Sequence, residues 1–304
     1  MLFYRLVTSF MINKIKVAIL GSGNIGTDLL MKTLRSPYLE CSMFIGRNVS
    51  SKGMSKAVSL KVPVSNQGID AIVNEPDSCE IVFDATSAQG HQHHADILRK
   101  LNKIAIDLTP ARIGHFCIPA INLQECLSYI NVNMVTCGGQ ASIPLAHVVG
   151  KTHPQVDYIE VVSTIASKSA GPATRLNLDE YVETTENGIL RYSNCKKAKA
   201  ILNLNPAEPC IDMQTTIYAH VKDPNIALLK TSINEMLLKI QKYVPSYRLV
   251  IPPTIEDDRI IMSVKVKGMG DFLPSYAGNL DIINCAAIAI AEEFAKIRGQ
   301  QGIT

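Results

Sequence analysis

Short apolar runs, each broken by glycine or a polar turn, set the pattern of the first half of the chain. Residues 16–20, KVAIL, read as a buried strand; GSGNIG at 21–26 follows, and then the helical stretch TDLLMKTLRS. CSMFIG at 41–46 is the next strand, with SSKGMSKAVSL as the helix behind it. EIVFDAT at 80–86 and KIAIDLT at 103–109 are two further apolar runs ending in polar turns, and HHADILRKL lies between them as a helix. NVNMVT at 131–136 is the last strand of this half. Strands alternating with helices predict a parallel, doubly wound α/β sheet.

Beyond Cys137 the pattern changes. SIPLAHVVGK reads as a helix, followed by longer strand candidates: YIEVVSTIA at 158–166, KAILNL at 199–204 and the alternating DRIIMSVKVKG at 258–268. Apolar–polar alternation predicts a sheet with one wetter face and antiparallel pairing. NIALLKTSINEMLLKIQKYV is a long helix behind Asp223 and Pro224, which suit a cap and a first turn. This half reads as α+β. The final stretch, NLDIINCAAIAIAEEFAKIRG, is helical with a broad apolar face that can pack back on another layer. There is no internal repeat, low-complexity tract or long linker, so the halves join tightly, with the active site expected between them.

Composition narrows the partners. A chain of 304 residues with 47% hydrophobic and 19% charged residues can bury substantial cores. A net charge of +3 with no basic stripe gives no reason to expect nucleic acid. The eight cysteines include no CxxC pair, so neither a zinc ribbon nor a thioredoxin motif is indicated. Their scatter suits a reducing compartment. The opening MLFYRLVTSFMINK lacks the layout of a signal peptide and is too short to span a bilayer. Residues 1–12 read as a tail or an upstream start. A cytoplasmic protein without a membrane segment is the expectation.

The candidate chemistry begins at Gly21, Gly23 and Gly26, a G-x-G-x-x-G between a strand and a helix. There the glycines allow a tight turn, close approach of a pyrophosphate and close helix–strand packing, and the helix N-terminus faces the phosphates. An NAD site usually places an acidic residue after the second strand; here Arg47 stands at that spot, with Ser50, Ser51 and Lys52 nearby. NAD is the expected cofactor and NADP the alternative.

TCGGQASIP sets Cys137 between a strand and a helix, where the helix field favours thiolate. Gly138 and Gly139 open the approach for a carbonyl, and their N–H groups are candidates to hold an oxyanion. An inert buried cysteine beside a turn fits the local sequence as well. Beside a nicotinamide, however, a thiol completes a device for oxidising aldehydes. In SKSAGPATR at 167–175, Arg175 is a candidate partner for an anion. His91, His93 and His94 read as an exposed helix start rather than a metal site, and no metal is implied. His147 is too far along its helix to serve Cys137 as a base. Asp84 and Asp107 sit near strand ends as ligand or cap candidates, and Glu208 as a substrate or turn residue.

These segments closely resemble acetylating acetaldehyde dehydrogenase, the CoA-dependent family of meta-cleavage (aromatic hydrocarbon) pathways. The carriers are KVAILGSGNIGTDL, IVFDATSA, AIDLTPARIG, NVNMVTCGGQA, SKSAGPATR, LNPAEP, YVPSYRL and LPSYAGNLDI, which together span residues 15–290. The resemblance implies oxidation of acetaldehyde with CoA and NAD to acetyl-CoA and NADH, with Cys137 as the acyl-thioester nucleophile. It implies cofactor contacts at Ser22, Gly23, Asn24 and Ile25, at Lys168, Ser169, Ala170, Gly171, Pro172, Ala173, Thr174, Arg175 and Leu176, and at Asn279. It further implies a Rossmann domain over residues 1–137 completed by the C-terminal helix 279–304. Residues 138–278 would form an α+β catalytic domain through which a homodimer assembles. Many relatives associate with 4-hydroxy-2-oxovalerate aldolase, which passes them acetaldehyde.

The chain departs from the family at three places. Gly46, Arg47 and Asn48 replace the usual acidic residue after the second strand. Cys210 and the pair Thr215–Thr216 replace a proline and an Asp-Thr pair. If that aspartate orients or activates the cysteine, the function is lost or relocated here. The segment after YRLVIPP is shorter than in many relatives, which alters a partner surface. Two other readings stay open: a semialdehyde dehydrogenase using phosphate or water as acceptor, and a non-catalytic nucleotide-binding subunit of an aldolase complex.

Overall fold

The computed structural model describes residues 14–301; the expected tail at residues 1–12 lies outside them. Seven strands form the first sheet: β1 (Ile15–Leu20), β2 (Leu39–Ile45), β3 (Val64–Ser65), β4 (Ile81–Asp84), β5 (Ile104–Asp107), β6 (His115–Phe116) and β7 (Asn131–Asn133). All pairs are parallel, in the order β3-β2-β1-β4-β5-β7-β6. The helices between them are α1 (Asn24–Arg35), α2 (Lys52–Ser59), α3 (Asp70–Asn74), α4 (Ala88–Lys100) and α5 (Pro119–Cys126). Along β1, Val17 and Ile19 enter one core with Leu29 and Leu30 of α1, while Ala18 and Leu20 enter another with Leu98 of α4. A sheet covered on both faces explains why its strands are unbroken apolar runs. The two-residue β6 at the sheet edge was not visible in the apolar pattern.

The strand order reverses between β1 and β4. At such a switch point the loops leaving the two strands diverge and open a crevice at their carboxyl ends. Gly21 and Ala85 stand there, one residue beyond each strand.

The second sheet holds β8 (Val156–Ala166), β9 (Lys197–Asn205), β10 (Met213–Val221), β11 (Arg248–Glu256) and β12 (Arg259–Val266), in the order β11-β12-β10-β8-β9. Its pairs are antiparallel except β8–β9, which is parallel. A parallel neighbour needs a crossover, supplied here by α7 (Pro172–Leu176) and α8 (Leu178–Ser193). Helix α8 had no counterpart in the sequence reading, because its polar first turns mask the periodicity. With α6 (Cys137–Thr152) and α9 (Ile226–Gln241), one face of this sheet builds a single core around Ile143, Ile159, Ile217, Ile233 and Met262. The expected cap of α9 is corrected. Asn225 caps it by accepting from the Leu228 N–H at 3.0 Å, while Asp223 lies before it at φ +52°.

The C-terminal α10 (Gly278–Gln301) returns to the first sheet, where Ile283, Ala287, Ile290 and Phe294 join the core under α1. Among the described residues no helix is long and apolar enough to cross a membrane.

Candidate active site

The glycine loop follows from close approach. Gly21 has φ +117°, and a Cβ there would lie 2.5 Å from the Ala85 carbonyl oxygen. A Cβ on Gly26 would lie 1.9 Å from the Gly21 carbonyl oxygen, so α1 can sit this near the turn only without one. Gly23, the N-cap of α1, has open space beside it, and no side chain caps the helix. Free N–H groups and an uncovered approach are what a pyrophosphate needs.

The second predicted loop meets the first. Asn24 Nδ2 donates to the Ser169 carbonyl at 3.4 Å, and Gly171 packs beside the same amide. A cavity of about 60 Å³ lies between the loops, lined by Ile25, Ala173, Thr174, Asn279, Tyr181 and Cys137. Four of the expected cofactor residues thus share a wall with the expected nucleophile. Ser22 bonds the Ser51 hydroxyl at 3.1 Å beside the loop. Other expected residues are engaged elsewhere. Lys168 is ion-paired with Glu208 at the surface, and the Leu176 side chain is exposed. Arg175, a candidate for pairing an anion, instead stitches its own loop through the Ala170 carbonyl and the Ser167 carbonyl and hydroxyl.

Cys137 is the first residue of α6, and its side chain packs against the cores of both sheets. The turn before it is strained, since Val135 is β-branched and sits at φ +59°. Asn133 holds that turn: its Oδ1 accepts from the Val135 N–H at 2.8 Å, and its Nδ2 donates to Asp107 at 2.6 Å and to the Thr109 carbonyl at 2.9 Å. Thr136 caps α6, accepting from the Gly139 N–H at 2.8 Å.

Two expectations about the cysteine need correction. The Gly138 N–H donates to the Tyr181 hydroxyl at 2.9 Å and the Gly139 N–H to Thr136, so neither glycine amide is free for an oxyanion. The thiol is also not held as thiolate. Burial pushes it above its ordinary value, and the pull of Tyr181 and the nearby amides does not offset this. The helix field alone is the weaker effect once the sulfur is desolvated.

A charged cluster adjoins the cavity, since Asp84 and Asp107 immediately precede its lining residues Ala85 and Leu108. His91, read as exposed, is fully buried; its Nδ1 bonds Asp84 at 2.9 Å and its Nε2 faces Asp107 at 3.5 Å. His94 bonds the same Asp84 oxygen at 2.7 Å. Burial would raise Asp84, but the two imidazoles hold it well below its usual range. Burial pushes Asp107 up to about 6, with His91 only partly offsetting it. For His91, burial favours the neutral ring, but Asp107 and Asp84 outweigh it and raise the value. Replacing His91 by glutamine is therefore expected to destabilise the protein by about 3 kcal/mol at neutral pH, because the buried Asp107 loses its imidazole neighbour and Asp84 keeps only His94. Without His91 the Asp107 carboxyl should rise above its present value of about 6, so the variant should regain stability as pH falls from 8 toward 6. Denaturant melts of the variant and the wild type between pH 5 and 8 check this (~3 kcal/mol at the upper end).

Tyr181 and Asn177, which line the cavity, and Ser163, whose hydroxyl stands beside Gly138, are not expected from the sequence. Nothing local distinguishes Tyr181 from a core tyrosine of α8; only the packing of α8 on α6 brings its hydroxyl to the cysteine.

Comparison with known proteins agrees with this layout. Residues 137–274 match the family described as prokaryotic acetaldehyde dehydrogenase, dimerisation. A Pectobacterium atrosepticum protein named acetaldehyde dehydrogenase is 56% identical over 287 residues, covering 94% of this chain and 97% of its own length. One of the same name from Spirochaeta aurantia is 55% identical over the same shares, and one from Geobacillus stearothermophilus is 48% identical over 93% of this chain and 97% of its own. Two solved structures share the fold. Aspartate semialdehyde dehydrogenase II of Vibrio cholerae, complexed with ASA, aligns with TM-score 0.62 at 12% identity over 94% of this chain and 99% of that one. Aspartate semialdehyde dehydrogenase of Candida albicans, with NADP, aligns with TM-score 0.64 at 12% identity over 94% and 100%.

Proposed function

Because this chain belongs to the acetaldehyde dehydrogenase family, we propose that it oxidises acetaldehyde to acetyl-CoA through a thioester on Cys137, with NAD as hydride acceptor. The observation that carries the reading is the shared cavity, whose lining joins Cys137 to Ala173, Thr174 and Asn279 beside the glycine loop.

The residues fit a nicotinamide dinucleotide. Asn279 is 4% exposed and its Oδ1 has no hydrogen-bond partner, an orphaned acceptor facing the cavity that suits a carboxamide N–H. Gly23 and the first turn of α1 would take the pyrophosphate, and Thr174 and Ala173 would flank the ring. When bound, the nicotinamide supplies the hydride acceptor. The protein does the rest. Cys137 loses its proton to solvent, and its sulfur adds to the aldehyde carbon while the carbonyl electron pair moves to oxygen. Once the carbon is oxidised, Cys137 holds the acyl group as a thioester. The CoA sulfur then attacks the thioester carbon, the bond from that carbon to Cys137 breaks, and the CoA thiol proton passes to the released Cys137 sulfur, leaving acetyl-CoA and the resting thiol. Arg47, exposed after β2 where no acidic side chain stands, is placed to tolerate a 2′-phosphate, so NADP is expected as a poorer substitute.

Matched assays with acetaldehyde, NAD or NADP, and CoA, phosphate or water as acceptor test this. NADH formation that saturates with CoA and is marginal with the other acceptors is expected, with a higher kcat/KM for NAD than for NADP. Equal rates with phosphate or water would overturn CoA acylation.

The same reading makes the first sheet and α10 the dinucleotide domain, and residues 138–278 the unit that dimerises. Support for a homodimer comes from the dimerisation family match and from the second face of the sheet. There Ile201, Val162 and Thr216 form a half-buried cross-strand row. The family resemblance supports an aldolase partner, and scattered cysteines without a CxxC pair support a reducing, cytoplasmic setting.

A further inference from the structure

Gly138 leaves room for more than a substrate. A Cβ there would lie 2.1 Å from the Tyr181 hydroxyl and 2.8 Å from the Ser163 hydroxyl, so these two groups occupy the space beside the nucleophile. Tyr181 Oη is 3.7 Å from Cys137 Sγ and accepts from the Gly138 N–H at 2.9 Å. The Ser163 hydroxyl stands on the same side of Gly138, near enough to pull the Tyr181 value down against burial. Ser163 and Thr215 are cross-strand partners on β8 and β10, with their hydroxyl oxygens 3.0 Å apart. All three side chains are almost fully enclosed. The result is a line of hydroxyls, Thr215–Ser163–Tyr181, that ends on the reactive sulfur.

We propose that Tyr181 is a catalytic residue whose O–H donates to the Cys137 thiolate and then to the substrate oxygen, with Ser163 and Thr215 as positioning residues that turn the phenol toward the sulfur. The proposal rests on the thioester reading. In the resting thiol, Sγ–H and the Gly138 N–H both donate to Tyr181 Oη, so the phenol proton points away from the sulfur. When the thiol proton leaves to solvent, the line can reverse. Thr215 then donates to Ser163, Ser163 to Tyr181, and Tyr181 to the sulfur. No proton is lost from the phenol, because burial, reinforced by the nearby sulfur, pushes Tyr181 well above its ordinary value. As the C–S bond forms and the carbonyl pair moves to oxygen, that oxygen is held next to Sγ, within reach of the same O–H. This supplies the donor that the two occupied glycine amides do not. It also gives Thr215, where the family resemblance leads one to expect an aspartate, a role at the far end of the line.

The test reads the resting sulfur and turnover separately. Iodoacetamide labelling of Cys137, followed by mass spectrometry of its peptide across pH, should shift upward by about one pH unit in Tyr181→Phe. In the same variant kcat should fall about 10- to 100-fold with little change in KM for acetaldehyde. Ser163→Ala, which keeps the phenol, should move both readouts in the same direction by less, and guards against a folding defect in Tyr181→Phe. An unchanged labelling profile, or a shifted profile with unchanged kcat, overturns the role. Labelling needs no aldehyde, so a Tyr181-dependent profile in a protein that turns over no aldehyde would overturn the reaction and leave the hydrogen bond standing.

Discussion

Replacement of Cys137 by alanine is expected to lower CoA-dependent NADH formation from acetaldehyde by at least about 10⁴-fold, because the covalent route disappears with its nucleophile. Among the described residues no other thiol lines the cavity. Cys117 and Cys126 are fully buried in the first core, and Cys285 lines a separate groove with Tyr243 and Lys296 on the far side of α10. Cys137→Ser keeps the size and the contact with Tyr181 but offers a hydroxyl that stays protonated, so it should be as inactive within a few-fold. Cofactor binding should survive in both variants, since the glycine loop and Asn279 do not depend on the sulfur. Steady-state rates with CoA, together with binding of NAD by titration, check both halves. Turnover retained by Cys137→Ala would remove the thioester from the mechanism. The elevated resting value of the thiol carries a sign of its own. The wild-type rate with subsaturating aldehyde should climb with pH through the alkaline range rather than level off near neutrality.

The largest expected effect on stability lies at Lys32. Its ammonium is buried among Asp28 at 2.8 Å, Asp271 at 2.8 Å and Asp281 at 2.7 Å. Burial alone would lower its value, but Asp28, Asp281 and Asp271 reverse the direction and keep it charged. These contacts tie α1 to the 268–278 segment and to α10, with Asn284 also bonded to Asp28 at 2.8 Å. Lys32→Met leaves carboxylates facing one another without their cation. A cost of about 3–5 kcal/mol follows, a fall in Tm of roughly 6–15 °C. The sign of the pH dependence is distinctive. Burial already holds Asp281 above its ordinary range despite Lys32, and without the cation it must rise further. The variant should therefore regain stability as pH falls below neutrality and Asp281 becomes neutral. Adding Asp281→Asn should restore part of the loss at neutral pH. Calorimetry of the single and double variants measures this. Because α10 carries Asn279 into the cavity, the single variant should also raise KM for NAD. A Lys32→Met protein as stable as the wild type would show that the cluster contributes nothing net.

Much of the site was legible because its parts are local. The strand–glycine–helix pattern at residues 16–35 and the TCGGQA turn each have a physical reason contained within about a dozen residues, and both stand where that reason requires. The candidates that misled were those whose role depends on a neighbour far along the chain. His91 looked like the exposed start of a helix, yet β4, β5 and β7 close around it and Asp84 and Asp107 charge it. Arg175 looked like an anion clamp, yet the backbone of its own loop satisfies it. Gly138 looked like an oxyanion donor until α8 delivered a phenol to its N–H.

By itself the sequence determined that a parallel sheet would form, that its first loop would carry glycine where the backbone approaches most closely, and that a cysteine would head the helix after its last long run. Each of these follows from periodicity, glycine sterics and capping, which act over a turn or two of chain. The environment of that cysteine was decided only by tertiary structure. Burial raises its thiol, Tyr181 arrives 44 residues further along the chain, and Ser163 and Thr215 meet 52 residues apart across two strands. Desolvation and hydrogen bonding at Sγ depend on which atoms surround it, and no local pattern encodes atoms contributed by α8, β8 and β10.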